Sequence, residues 1–213
     1  RKKPFLRLAT AAVAMVAALG MAACSGGAST SSSSSSSAQV GDRSPEQIKE
    51  AGEIVIGIFS DKAPFGYIDA DGKPAGYDVV YGDRIAADLG VTAKYVPVDA
   101  AARTEVLASN KVDITLANFT VTPERAEKVD FANPYFKVSL GVVSPTSAEI
   151  TDVSQLAGKT LIVTKGTTAE SYFEANHPEV KLLKFDQYSD AYQALEAGRG
   201  DAFSTDNTEV IAW

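Results

Sequence analysis

Three short stretches of this chain carry side chains that could hold a small charged molecule. The first is Thr120-Val121-Thr122-Pro123-Glu124-Arg125. Thr122 reads as a helix N-cap, Pro123 as the first helical residue and Glu124 as a first-turn acid that suits the helix dipole. Arg125 then sits beside unpaired backbone N–H groups, where a planar guanidinium can grip a carboxylate through two hydrogen bonds. A surface ion pair with Glu124 or Asp130 fits the same spacing. The second stretch, Lys165-Gly166-Thr167-Thr168, follows a strand and opens a helix. It is either another anion-binding turn or simply a capped helix start. The third is Asp206, just past a later strand, a carboxylate of the kind an ammonium group needs. A carboxylate-binding cluster together with an ammonium-binding acid describes an α-amino acid. Phe59, Phe65 and Tyr67 could wall such a pocket, or could belong to the core.

Several other chemistries are excluded. The 213 residues include one histidine, His177, and one cysteine, Cys24, so neither a Cys/His zinc site nor an intrachain disulfide can form. Nothing around His177 resembles a nucleophile elbow. Gly158-Lys159-Thr160 is not a phosphate loop, because Val153 stands where the earlier glycine is needed. Asp69-Ala70-Asp71-Gly72 lacks the acid that a calcium loop requires two residues earlier. No cofactor or metal is expected. The net charge is -7, and all the charge in the first 23 residues is positive. An acidic body without a basic stripe argues against a nucleic-acid partner.

The chain opens with Arg1, Lys2, Lys3 and Arg7, followed by an uncharged apolar run from Leu8 to Ala23. That run is short for a spanning helix and suits the hydrophobic region of a secretory signal. It ends in Met21-Ala22-Ala23-Cys24, which resembles a bacterial lipoprotein cleavage box, with Met21 where leucine is usual. Residues 1–23 are therefore expected to be a signal peptide and Cys24 to carry the lipid. Residues 24–45, with serine unbroken from Ser31 to Ser37, are expected to be a flexible tether. The expected location is the outer face of the cell membrane or the periplasm.

Those candidate residues need a scaffold, and from Ile54 the pattern supplies one. Apolar runs at 54–59, 92–98, 113–117, 160–164, 181–185 and 201–204 read as strands, with helical spacing at 78–89, 101–108, 168–175 and 189–197. Tyr135 to Val143 reads as a long extended crossing between two halves. Alternation of this kind predicts an α/β fold with mainly parallel sheets. The stretches Glu105–Asp113 and Gln193–Asp201 echo each other, each ending a helix, turning and entering a strand. Two similar lobes, 46–141 and 142–213, follow from that echo. Ligands of open α/β sheets bind beyond the carboxyl ends of the strands, which points to Asn118-Phe119-Thr120 and Asp206-Asn207.

The stretches Ser60–Tyr67, Gly76-Tyr77-Asp78-Val79, Ala117–Tyr135, Lys165–Glu170 and Gly200–Trp213 together resemble the type II solute-binding proteins of polar amino-acid ABC transporters, nearest their cysteine-binding branch. The resemblance implies a two-lobed clamshell without enzymatic activity, acting as a monomer that passes a free amino acid, cysteine foremost, to a membrane permease. It implies Arg125 for the ligand carboxylate, aided by Asn118, Thr120, Thr167 and Thr168. Asp206 would take the ammonium, Phe59 and Phe65 would border the pocket, and Arg103 would lie near the ligand side chain. Phe59 replaces a lysine found in relatives that bind acidic ligands, and Thr205 replaces a histidine frequent in the cysteine branch. The family's chains continue past the point where this one stops, so a partly open or unstable second lobe is expected. A dehydratase-like enzyme on the same fold and an extracellular amino-acid sensor are the competing readings.

Overall fold

The computed structural model describes residues 39–213. The expected signal peptide, the expected lipidation site at Cys24 and the serine run lie outside the described residues.

In chain order the helices are α1 (Pro45–Ala51), α2 (Tyr77–Leu89), α3 (Arg103–Ala108), α4 (Pro123–Ala126), α5 (Thr168–Asn176), α6 (Tyr188–Glu196) and α7 (Asn207–Ala212). The strands are β1 (Glu53–Ile58), β2 (Asp61–Lys62), β3 (Gly66–Ile68), β4 (Pro74–Ala75), β5 (Thr92–Pro97), β6 (Ile114–Thr115), β7 (Leu140–Val143), β8 (Thr160–Thr164), β9 (Lys181–Phe185) and β10 (Ala202–Asp206). A first parallel sheet has the order β5-β1-β6, and a second has the order β7-β10-β8-β9, in which only β7 runs antiparallel. The hairpin β2-β3-β4 extends from the end of β1. The central strands β1 and β8 are buried along almost their whole length, as expected of parallel strands covered on both faces.

The sequence echo has a structural cause. Asp113 opens β6, donates its N–H to the Val55 carbonyl and accepts the Val55 N–H on Oδ2 at 2.7 Å. Asp201 does the same to Thr160 at the head of β10, with Oδ2 at 2.8 Å. Each aspartate thus pins a strand to the central strand of its own sheet. Asp113 is further buttressed by Arg43, with a 2.7 Å ion pair, and by the Gly41 N–H. Residues 41–43, inside the expected tether, are therefore bonded to the folded body.

Gly82 lies mid-helix in α2, an unfavourable place by about 1 kcal/mol. Its reason is a close approach: a Cβ there would sit 2.7 Å from the Tyr95 hydroxyl, which donates to Val79 and Asp83.

Two helices, α1 and α7, were not anticipated. The extended run expected over 135–143 forms ladder only from Leu140, where β7 pairs with β10. Before it, Tyr135 and Phe136 pack by their rings instead, Tyr135 stacking on Tyr81 at 4.4 Å and Phe136 meeting Phe65 at 5.8 Å. The two halves also meet in this structure. One apolar core runs from Val55, Val98 and Val106 of the first half to Ile162, Ala191 and Phe203 of the second.

Candidate functional site

The carboxyl ends of the two sheets face a narrow cleft whose free space, about 10 Å³, is roughly that of one water. Seven of the nine expected binding residues line it: Arg103, Asn118, Thr120, Arg125, Thr167, Thr168 and Asp206. Phe59 and Phe65 do not. Tyr188 takes the wall position, with Phe59 packed edge-on against it at 5.1 Å. Phe65 belongs to an aromatic cluster with Tyr77 and Phe136. Both phenylalanines are core side chains, the alternative that their burial favours.

Arg125 is placed as the sequence suggests. Thr122 caps the four-residue α4 by accepting the Arg125 N–H at 3.3 Å, with Pro123 at the first position. The guanidinium donates to the Thr120 carbonyl at 2.8 Å and to the Gly166 carbonyl at 2.9 Å. Those bonds use two of its five N–H groups. Burial pulls its pKa below the ordinary arginine value.

Arg103 is more committed than expected. Through all three guanidinium nitrogens it holds the carbonyls of Ala100, Ala117, Asn118 and Gly166, at 2.8 to 3.0 Å. Burial brings its pKa down to about 10. It shapes the loop after β6 and is left little capacity for a ligand. Both guanidinium groups lie over the Phe119 ring, 4.6 Å from its centroid for Arg103 and 4.5 Å for Arg125. Asn118 sits in the left-handed region at φ 47°, and its Oδ1 is buried without a partner among the described residues. A buried acceptor in a cleft wall is costly unless something donates to it.

The other wall comes from α5 and β10. Thr167 caps α5: its hydroxyl accepts the Glu170 N–H at 3.2 Å and donates to the Thr164 carbonyl at 2.7 Å. Gly166, at φ 74°, carries the carbonyl on which both arginines converge. Asp206 ends β10 and is largely buried.

Lys62 is the functional side chain that sequence reasoning missed. From β2 it reaches across to Asp206 Oδ2 at 2.8 Å and Glu209 Oε2 at 3.4 Å, and donates to the Tyr188 hydroxyl at 3.2 Å. Burial works against its charge, but Tyr188, Glu209 and Asp206 together raise its pKa above the ordinary lysine value. Glu209 is fully buried, and burial pushes its carboxyl up despite Lys62 and a 2.7 Å hydrogen bond from Thr205. The signal in the sequence was a lysine directly ahead of the apolar, proline-containing stretch Ala63-Pro64-Phe65, whose long stem can be buried while its charge finds partners.

Asp78, at the start of α2, is also buried, and its Oδ2 has no partner among the described residues. Burial pushes its carboxyl up to about 7, against the pull of Lys62. The folded protein then holds a proton that the unfolded chain releases near pH 4. Stability should fall as pH rises from 4 to 7 and level off above. Asp78→Asn should remove that slope and raise the unfolding free energy at pH 8 by about 2 kcal/mol, read by urea unfolding at several pH values. An unchanged slope would show that Asp78 is not the group responsible.

Comparison with known proteins places this architecture. Residues 54–213 match the bacterial extracellular solute-binding proteins, family 3. A glutamine-binding protein of Geobacillus stearothermophilus is 31% identical over 178 residues, covering 81% of this chain and 67% of that protein. The chain spans 60–63% of the length of the next curated relatives it matches. Among solved structures, a solute receptor for L-cysteine of Neisseria gonorrhoeae is 54% identical with a TM-score of 0.78, covering 80% of this chain and 71% of that one. A cysteine-binding protein from Campylobacter jejuni is 51% identical with a TM-score of 0.77, covering 79% and 69%. The family match spans nearly all of the α/β body and its cleft residues, and the chain belongs to the bacterial extracellular solute-binding proteins, family 3.

Proposed function

We propose that this protein is the ligand-capturing component of an ABC importer for a small polar amino acid, with cysteine the foremost candidate. The two sheets act as lobes, 46–141 and 142–213, that close on the ligand by hinge motion and present the closed form to a membrane permease. Cys24 carries the lipid that holds it at the outer face of the membrane, and residues 24 to about 40 are the tether.

The observation that carries this reading is the pairing of opposite demands in one small cleft. Arg125 offers unused N–H groups to a carboxylate, while Asp206 and the unpartnered Asn118 Oδ1 accept from an ammonium. Thr120 and Thr168 line the cleft between them. The likeness to a solute receptor for L-cysteine and to a cysteine-binding protein supports cysteine in particular. A dehydratase would need a general acid facing its substrate. The two carboxyls that burial pushes up, Asp78 and Glu209, are absent from the cleft lining.

Calorimetric titration with cysteine, cystine, glutamine, glutamate and histidine tests the reading. One of them should bind at micromolar or tighter affinity, and Arg125→Ala should weaken it by about 30-fold or more, as expected when a charge-assisted bidentate contact is removed. A well-folded protein that binds none of them would rule out amino-acid capture.

A further inference from the structure

The charges around the cleft do not balance. Three cations, Lys62, Arg103 and Arg125, surround it or stand directly behind its wall, against two carboxylates, Asp206 and Glu209. Protonation of Glu209 would only enlarge the positive excess. An α-amino acid brings one positive and one negative charge and leaves that excess unchanged, so the ligand's side chain decides the total. Among the lining residues Asp206 is the single carboxylate, and Lys62 already holds its Oδ2 at 2.8 Å. The ligand's own ammonium needs what remains. A cationic side chain would find no second acid, and would add charge to a site already positive and poorly screened.

We propose that Lys62 determines specificity: by occupying half of Asp206 and adding a third positive charge, it restricts the site to amino acids with neutral or anionic side chains and excludes cationic ones. Lys62 acts through Asp206 and Tyr188, since it does not itself line the cleft. This rests on the amino-acid-receptor reading above.

The test compares L-cysteine with L-2,3-diaminopropionate, an analogue of similar size whose side chain is an ammonium. Calorimetry of the full chain at pH 6 keeps Asp78 protonated and out of the balance. The wild-type protein should prefer cysteine by about 100-fold, and Lys62→Met should reduce that ratio by about tenfold or more. Glu209→Gln removes a negative charge and should move the ratio the other way. It also keeps the proposal testable should Lys62→Met fold poorly. Diaminopropionate binding wild type within a few-fold of cysteine, or both variants leaving the ratio unchanged, would overturn the proposal while amino-acid capture stands. If wild type binds neither cysteine nor any of the amino acids in the panel above, both readings fall together.

Discussion

Gly166→Ala should abolish high-affinity ligand binding, by about 100-fold or more, while leaving the protein folded. Gly166 has φ 74°, and a Cβ built on it would lie 2.5 Å from the Ala101 Cα and 2.8 Å from its nitrogen. Real Cβ atoms do not approach backbone so closely. The left-handed conformation alone costs an alanine about 1 kcal/mol or more, and relief of the clash requires the loop before α5 to retreat from the first half of the molecule. Retreat takes the Gly166 carbonyl away from Arg103 and Arg125, which hold it at 3.0 and 2.9 Å. A loss of about 3 kcal/mol in closure corresponds to about two decades in affinity. The far-UV spectrum and urea midpoint should stay near wild type, while calorimetry registers the loss. Affinity within threefold of wild type would mean that this contact is not needed for the binding-competent form.

Asp206→Ala should both weaken the fold by about 3 kcal/mol and eliminate binding. It leaves Lys62, a fully buried ammonium, with Glu209 at 3.4 Å as its remaining carboxylate. Breaking a buried pair by deleting one partner is costly because the other charge stays buried. The pH dependence carries its own sign. A lysine whose pKa is raised on folding contributes stability that is complete below the unfolded value, near 10, and is lost as pH climbs beyond it. Without Asp206 that alkaline loss should begin at lower pH. Urea unfolding from pH 7 to 11 reads both effects, and a variant as stable as wild type would show that the Lys62–Asp206 pair adds nothing to the fold.

Much of this was legible in the sequence because the fold repeats its own logic. Buried parallel strands announce themselves as unbroken apolar runs, and β8 and β9 fall on the expected residues, 160–164 and 181–185. Arg125 and Thr167 were readable because N-caps have side-chain signatures, and both caps form. Helix α1 had such a signature as well, Ser44 and Gln47 in a capping box with Pro45 first and Gly52 closing the end. It lies just ahead of the first apolar run, where attention to hydrophobic periodicity passes over it. Periodicity is equally silent about Lys62, because a buried lysine is recognised by partners 126 to 147 residues away in the chain. Phe59 and Phe65 show the converse. An aromatic near a strand end is compatible with a pocket wall or with the core, and only the packing of Tyr188 in front of Phe59 decides it.

Helix α6 begins at Tyr188 without a cap of its own: Gln187 offers its first turn no side-chain bond and instead donates to Asp99. The cap is lent from the other half. Asp61 of β2 accepts the Ser189 N–H at 3.0 Å. A helix whose first turn is completed by the opposite half is intact only when the halves meet, so parting them strips an N-cap worth about 1 kcal/mol. If the proposed hinge motion occurs, the Ser189 amide becomes in effect its position sensor. It should be shielded from exchange with solvent while the halves meet and exchange faster when they part, even if the other secondary structure does not change.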